Sequence, residues 1–440
     1  MIAAPSSSGG KTTVSLGIMA ILTRRGVRVQ PFKCGPDYID TKFHAAVCGR
    51  PSVNLDSYMA STLHLRELYA RYSAEAEVCI AEGMMGLYDG YERDRGSSAE
   101  TASILRLPVI LVVNAASAAY STAALLRGFI GFRDDVRIIG VIFDKVGSPR
   151  HLSMLEDVCQ DIDLRCFGYL PKDAALEQKS RYLGLDFSDS GAKGRLERLV
   201  SLTEKHIDIG GLLDASRATV EVQPTALSEM QGKMKICVAR DDESFSFIYN
   251  EHLDILRRLG EVTFFSPASG IPIPSDTDLL YLPGGYPEKH AEELSAAEVT
   301  MRSVRDYIEG DGRTLAECGG MIYLSRGIHF DDAPTFVPLT GVLPFSVSCR
   351  REHRRLSLGY RSFRVCGQQL RGHEFHYSQI PPPEAQGIKS AYLVYDAKGV
   401  ATDSLVFRYK NLLASYVHLY WGEADIMRLF GGCDSINSKL

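Results

Sequence analysis

Short and almost entirely apolar runs recur along the first half of the chain, each followed by a segment whose apolar residues have helical spacing. They occur at 78–83 (VCIAEG), 107–115 (LPVILVVNA) and 136–143 (VRIIGVIF). A strand reads as continuously apolar when both of its faces are buried, as in a parallel sheet covered by helices. The alternation of such strands with helices therefore predicts a doubly wound α/β domain.

The same alternation returns after a polar interruption. Residues 214–233 are polar, lack a clear period and include Pro224, which is typical of an interdomain linker. The strand-like runs KICVA, VTFFS, DLLYLPGG and RTLAECGG follow it. At 440 residues the chain is also too long for one ordinary core. We therefore predict two α/β domains with doubly wound parallel sheets, over 1–213 and 234–440, joined by the linker.

Composition and charge exclude several classes of function. A hydrophobic content of 45% and a charged content of 23% are typical of soluble globular proteins. The formal net charge of −5 gives no support for binding to nucleic acid or to an anionic membrane. No apolar run reaches membrane-spanning length, and the ten cysteines form no CxxC pair, which argues against zinc sites and a disulfide framework. We expect a cytoplasmic protein with reduced thiols.

A glycine-rich segment, SSSGGKTT (6–13), lies between the first predicted strand and the first predicted helix. Glycines let backbone N–H groups close around phosphate oxygens, and the helix N-terminus adds partial positive charge. Lys11 would reach the terminal phosphates and Thr12 would supply a magnesium ligand. Pro5 stands where the first glycine of GxxxxGK[ST] is usual. The residues predicted to bind the nucleotide are Gly9, Gly10, Lys11, Thr12 and Thr13.

Magnesium bound to a nucleotide needs acidic residues near the phosphate loop. Four carboxylates stand beside glycine turns at strand ends in the first domain: Asp37, Asp40, Glu82 and Asp89. Each carboxylate taken alone would more often be a turn former or a solvated loop residue. Together, in one nucleotide domain, they predict a metal or substrate site.

Cys318 stands at the end of the strand in RTLAECGG, directly before two glycines and a helical segment. This strand–turn–helix order is that of a nucleophile elbow, and the helix N-terminus would favour the thiolate. Attack on a carbonyl also needs a base and an oxyanion hole. We predict His418 in ASYVHLYW as the base. The predicted oxyanion hole consists of Gly284 and Gly285 in PGGYPE together with Gly319.

The ordered motifs in both halves are similar to those of the cobyrinic acid a,c-diamide synthase family. They include PSSSGGKTT, KCGPDYIDTKFH, EGMMGLYDG, LPGGYPE, AECGGMIYL and ASYVHLYW, and the resemblance covers nearly the full chain. It implies a dethiobiotin-synthetase type of P-loop domain followed by a class I glutamine amidotransferase domain. It also implies a ligase that needs ATP as co-substrate and Mg²⁺.

The reaction implied by the resemblance has two halves. Glutamine is hydrolysed through a cysteine thioester, and the ammonia amidates the a- and c-acetate carboxylates of a tetrapyrrole polycarboxylate after ATP has phosphorylated them. Asp37 and Glu82 would join Thr12 as magnesium-side ligands. Tyr38, Asp40 and Asp89 would face the substrate or the phosphorylated intermediate. The resemblance also allows a homodimer.

Three positions depart from the family pattern, and one of these departures leaves His418 without its usual orienting glutamate. Asp144 stands where Asn is usual beside the nucleotide base, and Tyr182 stands where His is usual. Tyr420 occupies the position, two residues after His418, where class I amidotransferases commonly have Glu. Glu374 in GHEFH is one candidate for orienting His418.

Three alternatives stay open at this point. Hydrogenobyrinate and nickel sirohydrochlorin are related tetrapyrrole substrates that the shared motifs do not distinguish from cobyrinate. The alternative from a different class is a nucleotide-switch binding protein of the ParA/MinD type with a decayed second domain. Ser6 stands at the position of that group's signature lysine, which argues against this alternative.

Overall fold

The computed structural model describes residues 1–176, 190–218, 232–381 and 388–430. The chain divides into two compact units, Met1–Ala226 and Leu227–Leu440. Tyr182 and residues 219–231 of the predicted linker lie outside the described residues. Among the residues that are described, no helix has both the length and the apolar character needed to cross a membrane.

The first unit is built on a seven-stranded sheet. Its strands are β1 (Ile2–Ala3), β2 (Val29–Cys34), β3 (Val53–Leu55), β4 (Val78–Glu82), β5 (Val109–Asn114), β6 (Ile138–Val146) and β7 (Cys166–Pro171). The order is β3-β2-β4-β1-β5-β6-β7, and every neighbouring pair is parallel. Strand β1 is central in this sheet. Because the strands are parallel, the loop after β1 lies at the carboxyl edge of the sheet, where ligands bind in such folds.

Helices connect these strands, as parallel pairing requires. They are α1 (Lys11–Arg24), α2 (Asp40–Cys48), α3 (Thr62–Ser73), α4 (Ser98–Leu105), α5 (Thr122–Ile130), α6 (Pro149–Asp161), α7 (Ser190–His206) and α8 (Ile209–Ala215). Strand β5, buried from Val109 to Val113, confirms the predicted class of sheet. The sequence analysis missed β2, because Gln30, Pro31 and Lys33 interrupt its apolar run.

The second unit contains a six-stranded sheet in the order β18-β19-β11-β10-β8-β9. Its strands are β8 (Met234–Ala239), β9 (Gly260–Phe265), β10 (Leu279–Leu282), β11 (Arg313–Glu317), β18 (Val406–Tyr409) and β19 (Leu412–Ser415). All neighbours are parallel except β18 and β19. Its helices are α9 (Asn250–Leu259), α10 (Ala291–Ala296), α11 (Glu298–Glu309) and α12 (Gly319–Leu324).

Two smaller sheets complete this unit and were not predicted. One has the order β13-β12-β14, formed by β12 (Gly327–His329), β13 (Phe336–Pro338) and β14 (Val347–Ser348). The other is antiparallel in the order β17-β15-β16-β20, formed by β15 (Ser357–Val365), β16 (Gln368–His376), β17 (Tyr395–Asp396) and β20 (His418–Tyr420). Cys366 and Gly367 both have positive φ and form the tight turn between β15 and β16.

Among the cysteines that the structure describes, Cys366 differs from expectation. Cys318 is a free thiol, whereas Cys366 is disulfide-bonded, so the prediction that all thiols are reduced is wrong for Cys366. A disulfide depends on which cysteines the fold brings within bonding distance, and widely scattered positions do not reveal this.

Candidate active sites

The phosphate loop, residues 5–10, runs from β1 to the start of α1. Ser8 and Gly10 have φ values of 59° and 92°, so the loop turns through the left-handed region twice. A Cβ atom on Gly9 would lie 2.7 Å from the Cβ of Ala4, so the backbone passes too close for a side chain. The loop has the compact backbone that was predicted for a phosphate site.

Lys11 begins α1 and is nearly buried, with 6% of its surface exposed. Its Nζ donates to the carbonyl oxygen of Ser6 at 3.2 Å and to that of Met85. The ammonium group is thereby held across the phosphate loop, next to the segment that follows β4. Thr12 and Thr13 lie in the first turn of the same helix.

A cluster of oxygen atoms surrounds the side chain of Thr12. Its hydroxyl donates to Glu82 Oε1 at 2.7 Å and lies 3.4 Å from Asp40 Oδ2. Lys33 Nζ contacts the same two carboxylates, at 2.8 Å from Glu82 and 2.7 Å from Asp40. The structure therefore brings together three of the residues singled out in the sequence, around a lysine that the sequence analysis missed.

Charge compensation explains how Glu82 is tolerated with no exposed surface. Burial alone would raise the pKa of Glu82, but Lys33 and His44 hold it well below its usual range. His44 Nε2 lies 2.8 Å from Glu82 Oε2, and its Nδ1 lies 3.1 Å from Ser52 Oγ. Burial likewise opposes the charge of Lys33, yet the carboxylates of Glu82 and Asp40 raise its pKa. Lys33 and His44 are the first and last residues of the KCGPDYIDTKFH motif, but their spacing in the sequence does not reveal that both contact Glu82.

The other predicted polar residues of this unit have separate positions. Asp37 Oδ1 accepts two backbone N–H groups at the start of α2, and its Oδ2 lies 3.9 Å from Lys33 Nζ. Tyr38 is buried. Asp89 is exposed, and its carboxylate accepts the Gly86 N–H at 2.8 Å. Asp37 and Asp89 thus act as turn formers in the folded chain, whatever further role they have.

The donor set around Thr12 suits Mg²⁺, which prefers a few carboxylate oxygens together with water and phosphate oxygens. The hydroxyl of Thr12 and the carboxylates of Glu82, Asp37 and Asp40 are hard oxygen donors around Lys33 on one edge of the sheet. No group of three His, Cys, Asp or Glu side chains in the described ranges is arranged to hold a metal ion by itself. Coordination here would therefore include the hydroxyl and the nucleotide phosphates.

Asp144, the departure from Asn, ends up against the phosphate loop. A Cβ atom on Gly10 would lie 2.4 Å from Asp144 Oδ2, so the carboxylate packs directly onto that glycine. Asp144 is 6% exposed, and burial raises its pKa. A buried acidic group next to a phosphate loop disfavours anions electrostatically.

In the second unit, Cys318 forms the predicted elbow between β11 and α12. Its backbone has φ 45° and ψ −103°, a strained conformation for a residue with a side chain. A Cβ atom on Gly320 would lie 2.0 Å from the carbonyl oxygen of Leu282, so β10 runs immediately beneath the turn. Only glycine allows the helix to start this close to the sheet.

The predicted oxyanion glycines and the predicted base meet at this elbow. A Cβ atom on Gly319 would lie 2.9 Å from the backbone nitrogen of Gly285. A Cβ atom on Gly284 would lie 2.1 Å from His418 Cε1, so the imidazole packs on that glycine. The structure therefore gathers Cys318, both loop glycines and His418 in one place, and their catalytic roles stay predictions.

Burial controls the protonation states at this site. It raises the pKa of the Cys318 thiol, and the nearby Glu288 carboxylate raises it further. The backbone N–H of Gly319, at the start of α12, lowers the pKa of the thiol, but burial outweighs this effect. Burial, with the neighbouring His373, lowers the pKa of His418 to about 3. Both shifts favour the neutral thiol and the neutral imidazole, and the neutral imidazole is the form that can act as a base.

Glu374, the candidate for orienting His418, and Tyr420, at the usual glutamate position, both contact residues other than His418. Glu374 contacts His376 Nε2 at 2.9 Å and Arg361 Nε at 2.6 Å. The hydroxyl of Tyr420 donates to Glu251 Oε2 on α9.

Comparisons with known proteins give a match for each of the two units. Residues 1–183 match the CobQ/CobB/MinD/ParA nucleotide binding domain, and residues 235–426 match the CobB/CobQ-like glutamine amidotransferase domain. The chain is 38% identical to the cobyrinate a,c-diamide synthase of Caldanaerobacter subterraneus, over 100% of this chain and 99% of that protein.

Further relatives carry two different names. The hydrogenobyrinate a,c-diamide synthase of Brucella abortus is 39% identical over 96% of this chain and 99% of its own length. The cobyrinate a,c-diamide synthase of Priestia megaterium is 38% identical over 97% of this chain and 95% of its own length. With matches that span both units, the chain belongs to the cobyrinate and hydrogenobyrinate a,c-diamide synthase family.

Proposed function

We propose that this protein is a cobyrinate a,c-diamide synthase, a carbon–nitrogen ligase that uses glutamine as amido donor and ATP as co-substrate. The observation that carries the proposal is that one chain, similar to diamide synthases over its whole length, has both a phosphate-loop site and a cysteine elbow. A place in cobalamin biosynthesis, a cytoplasmic location and a homodimer belong to the same proposal.

The glutaminase half follows from the elbow. His418 takes the proton of Cys318 Sγ as the sulfur attacks the amide carbonyl of glutamine. Backbone N–H groups at Gly285 and Gly319 stabilise the negative charge that develops on the carbonyl oxygen. The protonated imidazole then returns the proton to the leaving nitrogen, ammonia departs, and water hydrolyses the thioester to glutamate.

The synthetase half uses the first unit. The loop N–H groups and Lys11 bind the phosphates of ATP, and the substrate carboxylate attacks the terminal phosphorus to give an acyl phosphate and ADP. Ammonia then displaces phosphate and forms the amide. Mg²⁺, held by Thr12, Glu82 and Asp37, would neutralise the charge on the phosphate oxygens. Asp40, beside Thr12, and Tyr38 and Asp89 would face the substrate carboxylate or its phosphorylated form.

The comparisons do not determine which tetrapyrrole is the substrate, because the relatives are named for two different ones. Relatives named for cobyrinate and for hydrogenobyrinate are 38% and 39% identical to this chain, so the degree of similarity does not separate them. The test is to supply cobyrinate, hydrogenobyrinate and nickel sirohydrochlorin separately, each with glutamine and ATP, and to count new amides by mass spectrometry. We expect two amides on cobyrinate at the highest kcat/KM. Preferred turnover of either other tetrapyrrole would correct the substrate while leaving the reaction class intact.

A nucleotide-switch protein of the ParA/MinD type is the alternative from another class. It predicts ATP hydrolysis that is independent of any tetrapyrrole and no glutaminase activity. ATP turnover that requires a tetrapyrrole and a nitrogen donor would exclude it.

A further inference from the structure

The nucleophile and the base of the elbow site are carried by different sheets. Cys318 follows β11 in the six-stranded sheet, whereas His418 begins β20 in the antiparallel sheet. The chain passes from one sheet to the other through Tyr416 and Val417. The separation of the sulfur and the imidazole therefore depends on how the two sheets are joined beside the elbow.

One buried side chain joins them. Glu317 is the last residue of β11 and directly precedes Cys318, and it is 1% exposed. Its Oε1 accepts the backbone N–H of Leu419 at 3.2 Å, one residue after His418. Its Oε2 accepts the hydroxyl of Tyr281, on β10, at 2.8 Å. The carboxyl group thus connects the residue before the nucleophile to the residue after the base.

Burying a carboxyl group at this position costs free energy, because the group is removed from water. Within the described ranges Glu317 has no ion pair with Lys, Arg or His, unlike Glu82 and Glu374. Burial raises its pKa to about 8. An apolar side chain of similar length would avoid the cost of removing this group from water. What an apolar side chain could not supply is the acceptor for the Leu419 N–H.

We propose that Glu317 is a positioning residue for glutamine hydrolysis, whose side chain sets the distance between Cys318 and His418 by tying β20 to the end of β11. The inference rests on the proposed function, since it concerns the glutaminase half of that reaction. It adds a residue that neither the sequence motifs nor the family pattern assigned.

The test compares three variants of the full chain. Glu317→Met keeps the length of the side chain and removes both acceptors. Glu317→Gln keeps an acceptor for the Leu419 N–H. Tyr281→Phe is the matched control, because it removes the hydrogen bond from Tyr281 to the same carboxyl group and leaves the link to β20. For each variant, kcat and KM are measured for glutamine hydrolysis, and amide formation is measured separately with ammonium salts and ATP.

We expect Glu317→Met to lose kcat for glutamine on the order of a hundredfold, since a displacement of about 1 Å between reacting groups costs that much. Its KM for glutamine and its ammonia-dependent synthesis should change by less than about threefold, because neither depends on the sulfur–imidazole distance. Glu317→Gln and Tyr281→Phe should stay within about fivefold of the parent kcat, as one neutral hydrogen bond is worth about 1 kcal/mol.

Three results would overturn the inference. They are an unchanged kcat in Glu317→Met, an equal loss in Glu317→Gln, and a parallel loss of ammonia-dependent synthesis, which would mark Glu317 as a general stability residue. A parent protein with no glutaminase activity would instead reject the proposed function itself.

Discussion

Two buried carboxylates of the first unit have opposite surroundings. Glu82 is surrounded by the hydroxyl of Thr12, the ammonium of Lys33 and the imidazole of His44. Asp144 packs against Gly10 of the phosphate loop, with burial raising its pKa. The first arrangement stabilises a negative charge, whereas the second places an acidic group where a triphosphate would bind.

Asp144→Asn is therefore expected to tighten ATP binding. Removing one negative charge beside the phosphates should lower Kd by about tenfold at low salt, equivalent to about 1.4 kcal/mol. The gain should shrink as salt screens the interaction. Titration with a fluorescent ATP analogue at two salt concentrations measures both effects, with the exposed Asp134→Asn as control. Equal or weaker binding by Asp144→Asn would show that the carboxylate does not oppose the nucleotide.

Glu82→Gln and Asp37→Asn test the magnesium assignment. Each variant keeps the shape of the side chain and removes a charge, so each should lose synthetase activity on the order of a hundredfold. The loss should be larger for Glu82→Gln, because an amide cannot satisfy Lys33, His44 and Thr12 together. Amide formation is measured against magnesium concentration, with glutaminase activity as the internal control. Normal rates of both variants at limiting magnesium would make these carboxylates ordinary structural residues.

At the scale of elements, α9 supports the strand that carries His418. His252 Nε2 accepts the backbone N–H of Trp421 at 3.1 Å, and the two rings stack with centroids 3.7 Å apart. Glu251, on the same helix, accepts the hydroxyl of Tyr420. The residue that replaces the usual class I glutamate therefore anchors β20 to a helix.

This contact predicts acid sensitivity of the second unit. Burial lowers the pKa of His252 well below its ordinary value, so the folded protein keeps it neutral while the unfolded chain takes up a proton below about pH 6.5. The free energy of unfolding should thus fall as the pH is lowered below that value, by about 1.4 kcal/mol per pH unit for this residue.

The measurement is urea unfolding between pH 8 and pH 5, followed by the fluorescence of Trp421, the only tryptophan of the chain. His252→Gln keeps an acceptor for the Trp421 N–H and does not titrate. Its unfolding free energy should decline less steeply with falling pH than that of the parent. Identical slopes would mean that His252 is not the group that takes up the proton.

On the scale of the whole molecule, two chemistries are distributed over two compact units, Met1–Ala226 and Leu227–Leu440. Lys11 and Cys318 belong to different units. Because free ammonia can replace glutamine as nitrogen source, the two halves of the proposed reaction should be separable by single substitutions.

Cys318→Ser should fail with glutamine and still form amides from ammonium salts and ATP, best at alkaline pH where more NH₃ is present. Lys11→Ala should show the reverse, with basal glutaminase activity and no amide formation, because Lys11 acts on the transferred phosphoryl group. Matched controls are Cys237→Ser, a buried strand cysteine, and Lys193→Ala, an exposed lysine. Glutamine-dependent synthesis by Cys318→Ser, or loss of its ammonia-dependent synthesis in a folded protein, would contradict the assignment.

Local patterns in the sequence were sufficient to predict the fold class and the central segments of the two candidate sites. A phosphate loop and a nucleophile elbow are each built from consecutive residues between a strand and a helix, so Gly9 to Thr13 and Cys318 to Gly320 can be recognised without knowing what surrounds them. Continuous apolar runs likewise identify strands that are buried on both faces, such as β5.

Only the tertiary structure decided which side chains from distant parts of the chain pack against those two segments. Lys33 meets Glu82 because β2 and β4 are neighbours, and His44 reaches the same carboxylate from α2. Glu317 reaches the N–H of Leu419 because two sheets converge at the elbow. These contacts join residues far apart in the chain, where spacing carries no information. The unpredicted antiparallel sheet, which carries His418, was hidden for the same reason, since its pairing is set by packing and not by a local period.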